Sequence, residues 1–150
     1  MPMLALGPFG GAAGMPDCCS GSRAGQRPCP VSGQLCAVVS RRTVLHHLQA
    51  PWSREVREQD YYFCDDPGCP VVYFDRDAST ITAEALRTEV GVKALGLDAT
   101  LCYCFGISFG AAADNPAIRE FVVEQTQQGI CACEARNPSG RCCLRDFPTR

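Results

Sequence analysis

Short apolar runs separated by turn residues fill the middle of the sequence and are typical of β-strands. The runs at 61–63 and 71–74 flank a Pro-Gly pair, which is a turn signal, so they predict a β-hairpin. Cys64 and Cys69 then stand at the two shoulders of this hairpin. A further apolar run at 36–39 predicts another short strand.

Helical spacing replaces this pattern towards the end of the chain. Ile118, Phe121 and Val122 repeat at i, i+3 and i+4, which predicts one apolar helix face. Asn115 is the predicted N-cap of this helix, and Ser108 is the predicted N-cap of a shorter helical turn before it. This segment is therefore predicted to be helical.

A short helix is also predicted in the first half, with Thr43 as its N-cap and Pro51 beyond its end. Trp52 is predicted to fill the core. Adjacent residues on a helix point about 100° apart, so His46 and His47 cannot face the same metal ion. We expect one of these imidazoles to be packed and the other to be solvated.

Charge and hydropathy make several classes of function improbable. The net charge is −2 and no basic run is present, so no nucleic-acid partner is expected. No apolar run approaches the roughly 20 residues that a helix needs to span a bilayer, so no membrane partner is expected. Catalysis is the weakest remaining class, because no Ser/His/Asp or Cys/His arrangement is recognisable.

Cysteine is in excess, since it accounts for 12 of the 150 residues. Such a fraction indicates either a disulfide framework or metal binding. The apolar N-terminal run has no preceding basic residue and is broken by Pro8 and Gly10, unlike a secretory signal. We therefore expect a cytoplasmic protein whose reduced thiols hold metals, with a disulfide-stapled secreted domain as the alternative.

The turn between Cys64 and Cys69 is the first candidate metal site. Such a turn, a knuckle, brings two sulfurs to one side, and structural zinc takes four ligands, usually from two knuckles. Cys29 opens a second loop in which Ser32, a poor zinc ligand, stands where another cysteine is expected. Cys36 is either the fourth ligand or a small buried residue at a strand start. The other candidates for the fourth sulfur are Cys18 and Cys19.

A Cys-x-Cys pair, Cys102 and Cys104, is the second candidate metal site. Four thiolates from two loops are what a [2Fe–2S] cluster requires, and they also suit a second zinc ion. Adjacent cysteines diverge, so only one of Cys142 and Cys143 is expected to bind. The turn at 137–140 folds the chain back, which lets Cys133 and Cys143 converge. The candidates for the return pair are Cys131, Cys133, Cys142 and Cys143.

The predicted architecture is an α+β fold of two small modules. Residues 29–95 are predicted to form a zinc-knuckle β-hairpin module, and residues 96–150 a short helix-turn-helix module that binds [2Fe–2S]. Zinc chelation is predicted to unfold the first module while the cluster absorbance of the second persists at first. Residues 1–28, rich in Gly, Pro, Ser and Ala, are predicted to be a disordered tail, with Met15 as an alternative start.

Several of these motifs resemble a known family. The segments 29–31, 62–74, 102–106 and 133–143 look like the metal-binding N-terminal domain of CopZ-type copper chaperones. The second half also resembles bacterioferritin-associated ferredoxin, a small helix-turn-helix [2Fe–2S] module. The resemblance implies cluster ligands at Cys102, Cys104, Cys133 and Cys143. It implies zinc ligands at Cys29, Cys64 and Cys69, and Ser32 departs from the family's fourth zinc cysteine.

This resemblance also implies a function. The family's cluster half is implicated in reducing Cu(II) to Cu(I), the form that soft thiolates hold. We therefore expect a one-electron relay in copper handling, with copper ions or a separate copper carrier, and an electron donor or reductase, as partners. The Met-x-Cys-x-x-Cys copper loop of the longest members does not occur in the sequence, so direct copper delivery is not expected. The alternatives are a thiol-rich cuprous-ion buffer and a ferredoxin-like partner of a reductase.

Overall fold

The computed structural model describes residues 25–94 and 96–148. Most of the predicted tail lies outside the described residues, and so do Cys18 and Cys19. The described part of the chain is a mixed α+β structure built on an antiparallel sheet. The predicted α+β class is therefore confirmed.

Five short strands form the main sheet, and each strand pairs antiparallel with the next. Successive side chains of a strand point to opposite faces, so Tyr61 and Phe63 join one core while Tyr62 joins another. The sheet therefore has two differently buried faces. The strands are β1 (Arg27–Pro28), β2 (Leu35–Val39), β3 (Tyr61–Phe63), β4 (Val71–Phe74) and β5 (Thr80–Thr82).

One face of the sheet carries the larger apolar core, to which the helix α1 (Arg41–His47) contributes Val44. On the opposite face, Tyr62 stacks on Phe74 with ring centroids 5.2 Å apart. This second face also buries the cysteines of the first half, and it is therefore the face on which a metal site can form. These cysteines are Cys29, Cys36, Cys64 and Cys69.

Two local predictions for the first half are wrong. The N-cap of α1 is Ser40, whose hydroxyl accepts a hydrogen bond from the Thr43 amide at 3.2 Å. The Thr43 hydroxyl instead donates to the carbonyl of Glu134, in the second half of the chain. Trp52 is 84% exposed, because the 3-10 turn Pro51–Ser53 buries none of its residues.

The described residues from 91 onwards contain a two-stranded sheet, four helices and a terminal 3-10 turn, Cys143–Asp146. Ser108 and Asn115 cap their helices as predicted, each accepting a backbone N–H at 3.1 Å. On the predicted apolar helix face Val122 is buried, while Phe121 is 46% exposed and packs edge-on against Phe105. The elements are α2 (Gly91–Ala94), β6 (Thr100–Cys102), β7 (Ile107–Ser108), α3 (Phe109–Asp114), α4 (Pro116–Gln127) and α5 (Cys133–Arg136).

Buried contacts join the two halves. The hydroxyl of Tyr73, a fully buried residue of β4, donates to the carbonyl of Pro138. The Thr43–Glu134 bond fixes α1 against α5 in the same region. The division of the chain near residue 95 stays a prediction, and these bonds cross that division.

His47 is buried beneath α5, whereas its neighbour His46 is exposed, as the helix geometry predicts. The Nδ1 atom of His47 shares a hydrogen bond of 2.8 Å with the Thr88 hydroxyl. Among the described residues, Nε2 has no hydrogen-bond partner of regular geometry. Burial, reinforced by the charge of His46, lowers the pKa of His47 from 6.5 to about 4.

Acidification should therefore destabilise the fold through His47. Because its pKa is lower in the folded state, the unfolded chain takes up a proton first as the pH falls below 6.5. By pH 4 this linkage costs about 3 kcal/mol of the free energy of unfolding. Urea unfolding between pH 7 and 4 should show a shallower acid loss in His47→Gln than in wild type. His46→Gln is the matched control, and equal slopes in all three proteins would contradict the prediction.

Candidate metal centres

Three buried thiols of the first half converge, and we call them the knuckle site. They are Cys29, Cys64 and Cys69, whose sulfurs all lie within 4.8 Å of one another. The Cys29 and Cys69 sulfurs are 3.8 Å apart. Zinc–sulfur bonds of 2.3 Å at tetrahedral angles would separate two sulfurs by about 3.8 Å. The spacing and the soft donor set therefore fit a zinc ion or another thiophilic cation.

The hairpin turn holds Cys64 and Cys69 in place. The amide of Cys64 continues the strand ladder by donating to the Val72 carbonyl at 2.9 Å. The amide of Cys69 closes the turn on the Asp66 carbonyl at 3.1 Å, and the Asp66 carboxylate accepts from the Gly68 amide at 2.9 Å. These bonds aim both sulfurs at the same side of the turn.

A second loop, from Cys29 to Gln34, supplies the third sulfur. The Cys29 amide donates to the Gln34 carbonyl at 2.8 Å, and the Gly33 amide donates back to the Cys29 carbonyl at 2.9 Å. Gly33 has φ +77°, a conformation that favours glycine. Burial opposes ionisation of Cys29, but hydrogen bonds from the amide and hydroxyl of Ser32 outweigh it and lower the Cys29 pKa to about 7. The site thus holds a thiolate close to neutral pH.

Ser32 and Cys36 both lie beside Cys64. The Ser32 hydroxyl oxygen is 3.5 Å from the Cys64 sulfur. The Cys36 thiol donates to the Gln34 carbonyl at 3.2 Å. Burial, together with the neighbouring Cys64, raises the pKa of Cys36 to about 12, so this thiol keeps its proton. Cys36 is not among the three mutually close sulfurs.

Lys93 braces the hairpin turn from α2, and the sequence pattern did not reveal it. Its ammonium donates to the carbonyls of Asp66, Cys69 and Val71 at 2.9, 2.8 and 2.7 Å. Three convergent carbonyls saturate the three donors of a lysine. The one available signal was compositional, since Lys93 is the single lysine of the sequence.

A second group of thiols, here the four-thiol site, lies in the other half. Pairwise interactions link its sulfurs in a ring: Cys102 to Cys104, Cys104 to Cys133, Cys133 to Cys143, and Cys143 to Cys102. In the part of the chain that the structure describes, no three of these sulfurs lie within 4.8 Å of one another, so this group is wider than the knuckle site. The Cys104 and Cys133 sulfurs are 3.7 Å apart. These are the four cysteines for which the family resemblance implies cluster binding.

Turns at both ends of the helical segment build this ring. Cys102 ends β6, and Gly106 turns the chain just after Cys104 with φ +66°. Cys133 begins α5. The Asn137–Gly140 turn, closed by a Gly140 amide to Asn137 carbonyl bond of 2.8 Å, then returns the chain to Cys143.

The four-thiol site distributes its protons unevenly among the sulfurs. Hydrogen bonds from Cys104 and Cys143 lower the pKa of Cys102 to about 3, although burial opposes this. The proton on Cys143 is held mainly by Cys102 and then by Cys133, which raises the Cys143 pKa. In addition, the Ala132 amide donates to the Cys104 sulfur at 3.2 Å. Such N–H···S bonds and shared thiolate charge fit the ligands of an iron–sulfur cluster.

Two further cysteines border the ring. Cys142 is buried and contacts Cys133 and Cys143. Although Cys142 directly precedes Cys143 in the sequence, its side chain therefore stays close to the other sulfurs. The Cys131 thiol donates to the Thr126 hydroxyl at 3.6 Å. Cys142 is therefore the nearest alternative ligand, and the interpretation of Cys142 as a bystander stays a prediction.

The fold and these two buried thiol groups define a cysteine-rich, metal-binding α+β domain. Residues 26–87 match the model of the CopZ-type zinc binding domain family. The X-ray structure of the Archaeoglobus fulgidus CopZ N-terminal domain is similar, with a TM-score of 0.64 and 31% identity over 82% of this chain and 100% of that chain. The chain therefore belongs to the family of CopZ N-terminal domains.

A curated relative matches over a shorter stretch. The copper chaperone CopZ of Archaeoglobus fulgidus is 36% identical over 101 residues, or 65% of this chain and 48% of that protein. This chain thus spans about half the length of the curated relative. Within the described residues, no helix is both long and apolar enough to cross a membrane.

Proposed function

We propose that this protein binds zinc at the knuckle site and a [2Fe–2S] cluster at the four-thiol site, and that it serves copper handling as a one-electron relay. The relay would convert Cu(II) to Cu(I). Membership of the CopZ family supports the link to copper. The observation that carries the cluster is the grouping of four interacting sulfurs, one of which accepts a backbone N–H.

Cys102, Cys104, Cys133 and Cys143 would hold the cluster. When bound, such a cluster accepts and donates one electron at a time. Cys102, Cys133 and Cys143 are buried and exclude water from the ring, whereas Cys104 is half-buried. Cys104 is therefore the side on which an electron donor or a copper ion would approach. The Ala132 amide would orient the Cys104 sulfur and stabilise its negative charge.

Cys29, Cys64 and Cys69 would hold zinc, with a fourth donor from Ser32 or Cys36. The role of this zinc would be structural, because it links the Cys29 loop to the hairpin and small cores often need such a staple. We retain the division into a zinc module over 29–95 and a cluster module over 96–150 as part of the proposal. The proposal also includes the resemblance of the second module to bacterioferritin-associated ferredoxin.

The proposed partners are copper ions or a separate copper carrier, together with an electron donor or reductase in a reducing compartment. The second candidate function is a thiol-rich cuprous-ion buffer that forms no stable cluster. Its support is the number of buried thiols in the described chain, where none of the cysteines forms a disulfide. A cuprous buffer and a relay differ in iron content, which makes them simple to separate.

Anaerobic purification with metal and sulfide analysis tests the proposal. We expect a brown protein with two irons, two sulfides and one zinc per chain. Cys143→Ser should lose at least half of the visible absorbance, whereas Cys131→Ser, the matched control, should keep it. A colourless wild-type protein without iron that binds several cuprous ions would instead identify the buffer.

A further inference from the structure

We propose that the Ser32 hydroxyl, and not the Cys36 thiol, occupies the fourth corner of the knuckle site, so that a cuprous ion can displace zinc from its three thiolates. This inference rests on metal binding at the knuckle site, as proposed above. It does not depend on the cluster.

The hydrogen bonds of Ser32 favour it for this corner. Its oxygen lies 3.5 Å from the Cys64 sulfur and accepts the Gln34 amide at 3.3 Å. The Gln34 amide fixes the Ser32 oxygen, and the proton of the Ser32 hydroxyl stays available for a hydrogen bond to a sulfur. Ser32 also contacts Cys29, so one hydroxyl bridges both loops of the site.

Cys36 also contacts Cys64, but it is not among the three mutually close sulfurs. Its thiol donates to the Gln34 carbonyl, the same carbonyl that accepts the Cys29 amide. Cys36 also lines a cavity between the halves of the chain, together with Phe63 and Arg141. Ligation by Cys36 would require this thiol to leave its carbonyl, so three sulfurs and one hydroxyl are the donor set that needs no rearrangement.

This donor set discriminates between metals. Structural zinc is bound by four strong donors, and a neutral hydroxyl is a weak fourth. A cuprous ion is soft, binds thiolates preferentially and is satisfied by two or three of them. The knuckle site therefore offers zinc only three of its four strong donors, whereas it offers Cu(I) a full set of thiolate ligands. A domain that handles copper would thereby have a place to retain the reduced ion.

The exchange is a substitution without electron transfer. One Cu⁺ forms bonds to the sulfurs of Cys29, Cys64 and Cys69, while the three zinc–sulfur bonds and the zinc–oxygen bond to Ser32 break and one Zn²⁺ leaves. Ser32 keeps its proton, and its bond to the Cys64 sulfur remains. The Lys93 ammonium, bound to the carbonyl of Cys69, partly offsets the added negative charge of the site.

A titration under anaerobic conditions tests the exchange. Zinc-loaded protein is titrated with Cu(I) from a buffered chelator complex, while a chromophoric chelator reports the released zinc. Wild type should release one zinc per cuprous ion, and copper X-ray absorption should show three sulfur neighbours. Ser32→Cys should require at least tenfold more free Cu(I) to release zinc. Cys36→Ala, the matched control, should behave as wild type does.

Several outcomes would overturn the inference. Retention of zinc by wild type at saturating Cu(I) is one of them. A tenfold loss of zinc affinity in Cys36→Ala would show that Cys36 is the fourth ligand. That measurement decides the question even if Ser32→Cys fails to fold. Iron and sulfide content is recorded on the same samples, so a failure of the relay proposal is seen separately from a failure here.

Discussion

Replacing Lys93 by methionine is expected to lower the free energy of unfolding by about 3 kcal/mol and to accelerate the loss of zinc. Three carbonyls of the hairpin turn share this one ammonium, at 2.7 to 2.9 Å. Hydrogen bonds to a charged group each contribute about 1.5–3 kcal/mol, and bonds that share one donor group do not add fully. Methionine keeps the length of the side chain but leaves the three carbonyls without this partner.

Denaturant unfolding of the zinc-loaded protein measures the first effect, and zinc transfer to a chromophoric chelator measures the second. Arg57→Met is the control for removal of a cation, because Arg57 is 65% exposed and pairs only with Glu55 among the described residues. Its stability should change by less than about 0.5 kcal/mol. If both variants have the same stability and the same rate of zinc loss, the brace contributes nothing to the site.

Removing zinc is expected to bleach the cluster at the same rate at which the hairpin unfolds. Zinc binding in small domains contributes on the order of 10 kcal/mol, which is comparable with the total stability of a domain, about 5–15 kcal/mol. The unfolding would not stop at residue 95, because Tyr73 and Thr43 bond to Pro138 and Glu134. Glu134 lies within α5, which also carries Cys133, and Pro138 lies two residues beyond its end. Loss of the sheet therefore removes the support of a cluster ligand.

Stopped-flow absorbance with a zinc chelator, combined with far-ultraviolet circular dichroism, compares the two rates. In Tyr73→Phe the buried bond between the halves is missing, so the cluster signal should outlast the sheet signal. Persistent cluster absorbance in zinc-free wild type would mean that the halves unfold independently. That result would agree with the modules predicted from the sequence and contradict the coupling expected from their contacts.

Local patterns predicted part of the fold. Short apolar runs around a Pro-Gly turn predicted strands β3 and β4, and short polar side chains predicted the caps at Ser108 and Asn115. The exposure of Trp52 was missed because it depends on which tertiary partner is nearby, and a single sequence does not contain that information. The cap at Ser40 is a local bond to the Thr43 amide, so its signal was present in the sequence, although Thr43 was predicted as the N-cap instead.

In the candidate sites, too, the local features could be predicted from the sequence and the contacts between distant segments could not. Cysteine spacing predicted that Cys64 and Cys69 share one side of a turn, because the geometry of the turn is local. It could not show that Lys93, 24 residues after Cys69, would bind the carbonyl of Cys69. Nor could it show that Cys142 would contact Cys133. Those contacts depend on how separate segments pack, and packing is decided by the whole core.

A single lysine in the whole chain has a practical consequence for spectroscopy. Incorporation of ¹⁵N-lysine places the label on one side chain alone, that of Lys93. An ammonium enclosed by three carbonyls exchanges its protons with water slowly, so its NMR resonance should be observable where those of mobile lysines vanish. One of those carbonyls belongs to Cys69, so the chemical shift would report in real time which ion the neighbouring sulfurs hold.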